Sequence, residues 1–216
     1  MAGEIHDNLV AYFPDAIAAK CDGQGDATVE YAGGVPGMGH CPLCERERLA
    51  SAVNGFIPPR FAQQIELPGP VSDWVSRGSE AQGLYLTGPV GTGKTWAVWH
   101  AAERAVRSGY EGRVIITTAA RFRRVVAPST ADPAEFTRYT DAGLLAIDDL
   151  GAARLSEWDM DHLGELVDAR WADQRPIIVT SNVTDLRTLL GPRISSRLAH
   201  NAVKVEMTGL DRRRMP

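Results

Sequence analysis

One glycine-rich segment limits the fold of this chain more than any other feature. Residues 88–95 read GPVGTGKT and match the pattern G-x-x-x-x-G-K-[ST]. The apolar run 84–86 precedes the segment, and a helical pattern that begins at Trp96 follows it. In such a strand-loop-helix setting, glycines let backbone N–H groups turn inward around a polyphosphate. The sequence therefore predicts a site for a nucleoside triphosphate.

Every residue of this segment is a candidate nucleotide contact. Lys94 would place a positive charge near the β- and γ-phosphates, and Thr95 would hold Mg²⁺ through its hydroxyl. A glycine-rich turn with an incidental lysine is the simpler alternative, but the flanking patterns favour a phosphate loop. The candidate nucleotide-binding residues are Gly88, Pro89, Val90, Gly91, Thr92, Gly93, Lys94 and Thr95.

A second apolar run ends in two carboxylates. Residues 143–151 read GLLAIDDLG, which is typical of a buried parallel strand that delivers acids to the carboxyl edge of its sheet. Asp148 would then hold Mg²⁺, and Asp149 would orient or deprotonate an attacking water molecule. The alternative is that the pair only caps a helix after a core strand.

Polar residues downstream extend the candidate site. Asn182 follows the apolar run 176–180, where its amide could position the same water molecule or contact the γ-phosphate. Arg193 and Arg197 are four residues apart and therefore share one face of a short helix. Alone, this pair indicates a solvated basic face. Beside a phosphate loop it predicts an arginine that a neighbouring subunit supplies to stabilise phosphoryl transfer.

Strand and helix patterns alternate through most of the chain. Strands are predicted near residues 83–87, 113–118, 143–148, 176–181 and 201–206, and helices near 94–108, 119–126, 155–173 and 192–199. This alternation predicts an α/β fold whose parallel sheet has helices on both faces. Nearer the amino end, the patterns predict a helix over 8–20, an irregular stretch over 22–39, a helix over 44–53 and a stiff linker over 58–70.

The cysteines give a second candidate site. Cys41 and Cys44 have the C-x₂-C spacing of zinc ligands, and Cys21 lies upstream. A zinc site needs a fourth donor, which His40 or His6 could supply. Two alternatives stay open, a Zn²⁺ site and a set of free cytosolic thiols; a disulfide is disfavoured in the cytoplasm.

A basic run lies on the helix predicted after the second strand. Arg121, Phe122, Arg123 and Arg124 combine guanidinium groups with an aromatic ring, which together can bind phosphates and stack bases of single-stranded DNA. The alternative places Phe122 in the core and the arginines in solvent. A net charge of −4 argues against a protein that coats duplex DNA.

The order of these motifs resembles that of the AAA+ ATPases, and within them the DnaC-type helicase loaders and IstB-type transposition proteins. The resemblance covers residues 41–213 and rests on GPVGTGKT, IDDLG, TSN, the two arginines and the segment FIPPRF at 56–61. By resemblance, Lys94 and Thr95 are phosphate-loop ligands, Asp148 binds the metal, Asp149 is the catalytic base, Asn182 is the sensor, and Arg197 is the arginine finger with Arg193 beside it.

The same resemblance implies an organisation and an activity. Residues 56–216 would form a five-stranded P-loop NTPase (AAA+) domain without a substantial C-terminal lid, and residues 1–55 would bind a helicase and carry the candidate zinc site. The implied activity is slow ATP hydrolysis with Mg²⁺ that depends on self-association or DNA. Slow turnover is expected because Asp149 is one methylene shorter than the glutamate common in the superfamily.

Three functions are compatible with this resemblance. The first is an ATP-dependent loader that places a replicative DnaB-type hexameric helicase on single-stranded DNA during replication initiation. The second is an IstB-type ATPase that serves a DNA transposase, and the third is a nucleotide-binding adaptor that hydrolyses ATP weakly. Because no run approaches 18 apolar residues and the amino end lacks a secretion signal, a cytoplasmic protein without membrane partners is expected.

Overall fold

The structure, a computed structural model of the 216-residue chain, describes residues 9–63, 66–77, 82–108, 110, 112–209 and 211. The chain divides into two compact units, Met1–Gly55 and Phe56–Pro216. Within the described residues, none of the helices has the length and apolar character that a membrane crossing requires.

The first unit is a small antiparallel sheet followed by one helix. The elements are β1 (Ala16–Cys21), β2 (Asp26–Tyr31), β3 (Gly37–His40) and α1 (Pro42–Gly55), with a 3-10 turn at Val10–Tyr12. The strands pair in the order β1-β2-β3. The buried residues of its small core are Leu9, Ala19, Cys21, Ala27, Val29 and Cys41.

Two sequence predictions fail in this unit. The helix predicted over residues 8–20 is wrong, since β1 occupies its second half; Asn8 itself lies outside the described residues. The stretch predicted as irregular contains β2 and β3. Asp22 explains part of the difference, because its carboxylate accepts hydrogen bonds from the backbone N–H groups of Gln24, Gly25 and Asp26 and so closes a tight turn between β1 and β2.

The second unit is a five-stranded parallel sheet, as predicted. Its strands are β4 (Gly83–Thr87), β5 (Val114–Thr118), β6 (Leu144–Asp148), β7 (Ile177–Ser181) and β8 (Ala202–Glu206). Every neighbouring pair is parallel, and the order across the sheet is β5-β6-β7-β4-β8. The helices are α2 (Gly69–Ser76), α3 (Lys94–Arg107), α4 (Ala119–Val126), α5 (Pro133–Asp141), α6 (Glu157–Ala172) and α7 (Leu186–Ala199).

Helices cover both faces of this sheet, which confirms the predicted α/β class. Residues of α2 and α3 pack on one face with Leu84 and Leu86 of β4. Residues of α4, α5, α6 and α7 pack on the other face with Tyr85. The sequence missed α2 and α5. The stretch around Pro68 and Pro70 is not an extended linker throughout, because proline is tolerated in the first turn of a helix and here begins α2.

The strand order brings the predicted motifs to one edge. β4 lies between β7 and β8, and β6 lies on the other side of β7. The carboxyl ends of parallel strands meet at the same edge of the sheet, where α/β proteins bind their ligands. The loop after β4 therefore lies beside the carboxylates after β6 and the polar residues after β7.

Candidate functional site

The phosphate-loop segment forms a tight turn between β4 and α3. Gly88 has φ of 134°, and Gly93 has φ of 96° and directly precedes α3. A side chain at Gly88 would also collide with the backbone carbonyl of Met207. Because both backbones adopt conformations that L side chains rarely reach, glycine is required at these positions. The amino end of α3 consequently points its N–H groups into the loop.

Lys94, at the start of α3, lies within the loop that it follows. Its side chain is buried, and Nζ donates to the carbonyl oxygens of Gly88 and Pro89, both at 2.7 Å. Thr92 Oγ1 also donates to Pro89, at 3.0 Å. The buried ammonium group is therefore held inside a concave backbone turn, the position from which it can contact a phosphate.

Thr95 and Asp148 form a pair of oxygen ligands. Thr95 Oγ1 donates to Asp148 Oδ2 at 2.9 Å, across the gap between α3 and β6. The other carboxylate oxygen, Oδ1, accepts a hydrogen bond of 2.6 Å from Thr180 Oγ1 at the end of β7. A hydroxyl and a carboxylate are hard oxygen donors of the kind that Mg²⁺ prefers, so the donor set fits this ion.

The environment of Asp148 affects its ionisation in two opposing ways. Burial raises the pKa of this carboxyl group, and the neighbouring charge of Asp149 raises it further. Hydrogen bonds from Thr180 and Thr95 oppose that rise. A buried carboxylate that shares its region with a second carboxylate is a place where a divalent cation is electrostatically favoured.

Asp149 and Asn182 line the same cavity as the loop. The cavity has a volume of about 330 Å³. Asp149 is exposed and has φ of 58°, a left-handed conformation that turns its side chain away from the line of β6. Its backbone N–H donates to Thr180 Oγ1 at 2.9 Å. The structure thus brings the two predicted residues to the phosphate loop.

Sequence analysis missed one wall of this cavity. The segment that precedes α2 contributes Arg60, Phe61 and Gln63, and α3 contributes Trp96. The indole N–H of Trp96 donates to the carbonyl of Gln63 at 2.8 Å. The segment FIPPRF was noticed only as part of a resemblance, and its contact with α3 is non-local, so no pattern in the chain indicated its place in the site.

Arg193 and Arg197 lie elsewhere. Both are on α7, and neither is among the side chains that line the cavity. Each contacts Asp168 of α6, through ion pairs of 2.6 Å and 2.7 Å respectively. The structure therefore does not bring them to the chain's own nucleotide site.

The three cysteines come together in the first unit. They are not joined by disulfides, and the Sγ atoms of Cys21, Cys41 and Cys44 all lie within 4.8 Å of one another. Burial raises the pKa of Cys44 to about 12, with the two neighbouring thiols contributing. Three converging sulfur donors fit Zn²⁺, which would hold them as thiolates.

The predicted fourth zinc ligand is not part of this group. The side chain of His40 is exposed, and its Nδ1 lies 3.3 Å from Asp26 Oδ1. Cys41, which follows His40 directly, is by contrast fully buried. His6 lies outside the described residues. Among the described residues, the group therefore contains three candidate donors.

The structure corrects one member of the predicted DNA-binding run. Phe122 is fully buried in the core on the α4 face of the sheet and cannot stack on a base. Arg123 pairs with buried Asp159 at 3.1 Å, and Arg121 pairs with Glu135 at 3.4 Å. Arg124 is exposed. The four residues therefore do not form one continuous aromatic and basic surface.

Comparison with known families gives one match. The family described as "IstB-like ATP binding protein" matches residues 71–214, which include the phosphate loop, both carboxylates and both arginines of α7. A search of curated protein sequences found no match.

Solved structures share the fold of the second unit. DnaI is 23% identical with a TM-score of 0.57, over 73% of this chain and 94% of that chain. The DnaC helicase loader is 18% identical, with a TM-score of 0.54, and the match covers 64% of this chain and 86% of the loader. AMPPCP-bound DnaA from Aquifex aeolicus is 22% identical, with a TM-score of 0.58, and the match covers 73% of this chain and 53% of the DnaA chain. At these identities the likeness is one of fold.

Proposed function

This chain belongs to the family of IstB-like ATP-binding proteins, and on that premise we propose that it hydrolyses ATP to control an assembly on DNA. ATP with Mg²⁺ would bind in the cavity beside the phosphate loop. Lys94 would contact the phosphates, Thr95 and Asp148 would hold Mg²⁺, and Asp149 would activate water. Asn182 would position that water molecule at the γ-phosphate.

The hydrogen-bonded chain through Asp148 is the observation that carries this proposal. Asp148 accepts from Thr95 at 2.9 Å and from Thr180 at 2.6 Å, and Thr180 also accepts from the backbone of Asp149. One connected network therefore links the end of the phosphate loop to the carboxylate of Asp148 and to the backbone of Asp149. Such preorganised contacts are what phosphoryl transfer requires from a protein.

Asp149→Asn tests the hydrolytic part of the proposal. The substitution keeps the size of the side chain and removes the basic carboxylate, so ATP should still bind while turnover falls about 100-fold or more. Binding is measured by calorimetry with Mg²⁺-ATP, and turnover by release of phosphate. Asp141→Asn on α5 is the control, since Asp141 pairs with Arg175 and does not line the cavity. Turnover of Asp149→Asn at the wild-type rate would contradict this assignment.

The specific role that we propose is that of a loader for a replicative hexameric helicase on single-stranded DNA, acting in the cytoplasm. The first unit would bind the helicase, and the second would self-associate through the ATP site. The fold that the second unit shares with DnaI and the DnaC helicase loader supports this role. Hydrolysis would then be slow in the isolated chain and faster in the assembly.

Service to a DNA transposase is the alternative role, and the match to the IstB-like family favours it. A third alternative, an adaptor that hydrolyses ATP weakly, is suggested by the short side chain of Asp149. Turnover with and without single-stranded DNA separates the adaptor from the other two roles. Affinity capture from the native host with ATP present then distinguishes the first two roles. A helicase loader should retain a hexameric helicase, whereas a transposase accessory protein should retain a transposase.

The contact with single-stranded DNA is proposed for the exposed arginines of α4. Arg124 is the best placed of them, because Arg121 and Arg123 pair with carboxylates. Arg124→Gln should weaken the binding of single-stranded DNA in the presence of ATP. The slope of log K for DNA binding against log salt concentration should fall in magnitude by about 0.7, the value of one phosphate contact. Arg187→Gln, on α7, serves as the matched control. An unchanged salt slope would remove α4 from the DNA interface.

We also propose that Cys21, Cys41 and Cys44 hold one structural Zn²⁺. Purified protein prepared without chelators should contain about one zinc per chain. Cys41→Ser with Cys44→Ser should lose that zinc while ATP binding persists, because the cysteines belong to the first unit. Zinc-free protein with an intact first unit would instead favour free thiols.

A further inference from the structure

Two arginines of α7 share one carboxylate of α6. Gly191, with φ of 72°, interrupts α7, and Arg193 and Arg197 follow on its second half. Arg197 Nε lies 2.7 Å from Asp168 Oδ1, and Arg193 Nη2 lies 2.6 Å from Asp168 Oδ2. Each oxygen of Asp168 is therefore engaged by a different arginine.

An aromatic ring supports the same guanidinium group. The guanidinium carbon of Arg197 lies 5.5 Å from the centre of the Trp171 ring. Trp171 follows Asp168 by three residues on α6, so the two side chains share one face of that helix. His200 contacts the edge of the same ring, with a centroid distance of 5.9 Å. Arg197 is thus held by a carboxylate at one side and by an indole under its plane.

The contact between Arg197 and Asp168 is made through Nε, the guanidinium nitrogen nearest the backbone. The Nε atom and the Oδ1 atom of Asp168 are both shielded from solvent, although 29% of the Arg197 side chain is exposed. The two atoms form an ion pair that lacks hydrogen-bond geometry, so charge rather than a hydrogen bond holds them together. Nη1 makes a long contact of 3.5 Å with the carbonyl of Arg193. The closest approach to Asp168 is made by Nε and not by the terminal nitrogens, which form the fork that binds phosphate.

We infer that Asp168 and Trp171 are positioning residues that hold Arg197 ready for the nucleotide bound to a second copy of this chain. This inference rests on the proposed function, in which Arg197 acts on a neighbouring subunit. A free arginine side chain samples many rotamers, which must be given up when it docks on a phosphate. Holding Nε and the guanidinium plane beforehand places the terminal nitrogens in a productive geometry when the copies associate.

A mixing experiment separates the arginine of one chain from the ATP site of the next. The acceptor chain carries Arg197→Ala and keeps its phosphate loop and Asp149. The donor chain carries Asp149→Asn, which retains ATP binding and Arg197 but lacks the catalytic base. Hydrolysis that appears only in the mixture therefore reports Arg197 of the donor at the ATP site of the acceptor.

Adding Asp168→Asn to the donor should lower the restored kcat about tenfold, because a loosely held side chain is in the productive geometry less often. The KM for ATP should stay unchanged, since the ATP site of the acceptor is unaltered. Trp171→Leu in the donor should have a similar effect. This variant tests the positioning role independently if Asp168→Asn folds poorly. Asp141→Asn is the matched control, because Asp141 forms its 2.8 Å ion pair with Arg175 outside this group.

The outcomes distinguish the inference from the function on which it rests. Equal restoration by the parent donor and by the Asp168→Asn and Trp171→Leu donors would overturn the positioning role and leave the action of Arg197 in trans intact. Failure of the parent donor to restore any hydrolysis, in mixtures shown by sedimentation to co-assemble, would contradict action in trans and overturn the inference with it.

Discussion

Thr180 links the carboxylate of Asp148 to the backbone of Asp149. Its hydroxyl donates to Asp148 at 2.6 Å and accepts from the backbone N–H of Asp149 at 2.9 Å. The side chain is fully buried at the end of β7, so both contacts are made without competition from water. One hydroxyl therefore fixes the orientation of the metal-binding carboxylate and the backbone turn that carries the proposed base.

Thr180→Val removes this hydroxyl and keeps the shape of the side chain. The buried N–H of Asp149 and one oxygen of Asp148 would lose their partner, which costs about 1–3 kcal/mol of stability. We expect kcat for ATP to fall about tenfold or more, with a smaller change in ATP affinity, since the phosphate loop is intact. Phosphate release assays measure this, with Thr180→Ser as the control that keeps the hydroxyl. Full activity of Thr180→Val would show that the network does not matter for turnover.

Sequence patterns identified the residues of the site that belong to local motifs. Lys94, Thr95 and Asp148 could be predicted because each lies in a short motif or at the end of a recognisable strand. Thr180 and Asp168 could not, since their roles arise from neighbours far along the chain. Phe122 was misjudged because a helix sequence alone does not reveal which face packs on the sheet.

At the scale of elements, one buried arginine joins α6 to its neighbours. Arg170 is buried, and burial lowers its pKa to about 10, with the nearby charge of Arg175 contributing. Its guanidinium nitrogens donate to four backbone carbonyls, those of Tyr139, Thr140, Ala142 and Pro176. Three of these lie at the carboxyl end of α5, where the helix dipole favours a cation.

Arg170→Met should therefore destabilise the second unit strongly. The change leaves several buried carbonyls without donors while filling most of the volume, and we expect a loss of about 3 kcal/mol or more. Urea unfolding measures this difference. Arg175→Met is the control, since the Arg175 side chain is partly exposed and its ion pairs with Asp141 and Asp173 should contribute much less. Equal stability of Arg170→Met and wild type would refute the structural role of these contacts.

The start of α6 makes a pH-dependent contribution to the stability of the folded chain. Burial alone would raise the pKa of Asp159, but hydrogen bonds from the backbone and hydroxyl of Ser156 and from Arg123 outweigh it and lower that pKa below 3.8. The lowered pKa means that ionised Asp159 stabilises the folded chain above pH 3.8. This contribution is lost as the pH falls through the lowered pKa.

Asp159→Asn should consequently destabilise the protein by about 1–2 kcal/mol at pH 7. The difference from wild type should shrink as the pH falls below 3.8, where the unfolded chain protonates Asp159 first, and should be smallest below the lowered pKa of the folded chain, where both states are protonated. Chemical unfolding over this range of pH checks the expectation. A constant difference from pH 7 to the acid limit would mean that the charge of Asp159 is unimportant.

Element predictions succeeded where local pattern and tertiary context agree. The central strands β4, β6 and β7 are largely apolar runs, and the predicted bounds of all five strands are close to the observed ones. The sequence predicts a helix where β1 lies because the apolar residues of this segment suit either period, and only pairing with β2 decides between them. α2 was hidden by two prolines, and α5 by the polar stretch in which it lies.

At the scale of the whole molecule, the chain combines a cysteine-bearing sheet with a nucleotide-binding domain. The family match covers residues 71–214 and so belongs to the second unit. This arrangement is consistent with a switch in which one part binds ATP and the other a partner. Every role proposed for the molecule depends first on ATP binding at the phosphate loop.

Titration of Mg²⁺-ATP into the wild type and Lys94→Ala, followed by calorimetry, tests that claim most directly. Lys94 is buried against the carbonyls of Gly88 and Pro89, so its loss should remove a phosphate contact without disturbing the surface. Lys204→Ala is the control, because Lys204 is exposed and does not line the cavity. We expect Lys94→Ala to weaken ATP binding about 100-fold, as loss of a buried charge-assisted contact should, and Lys204→Ala to bind as the wild type does. Equal affinity of Lys94→Ala and wild type would contradict the account.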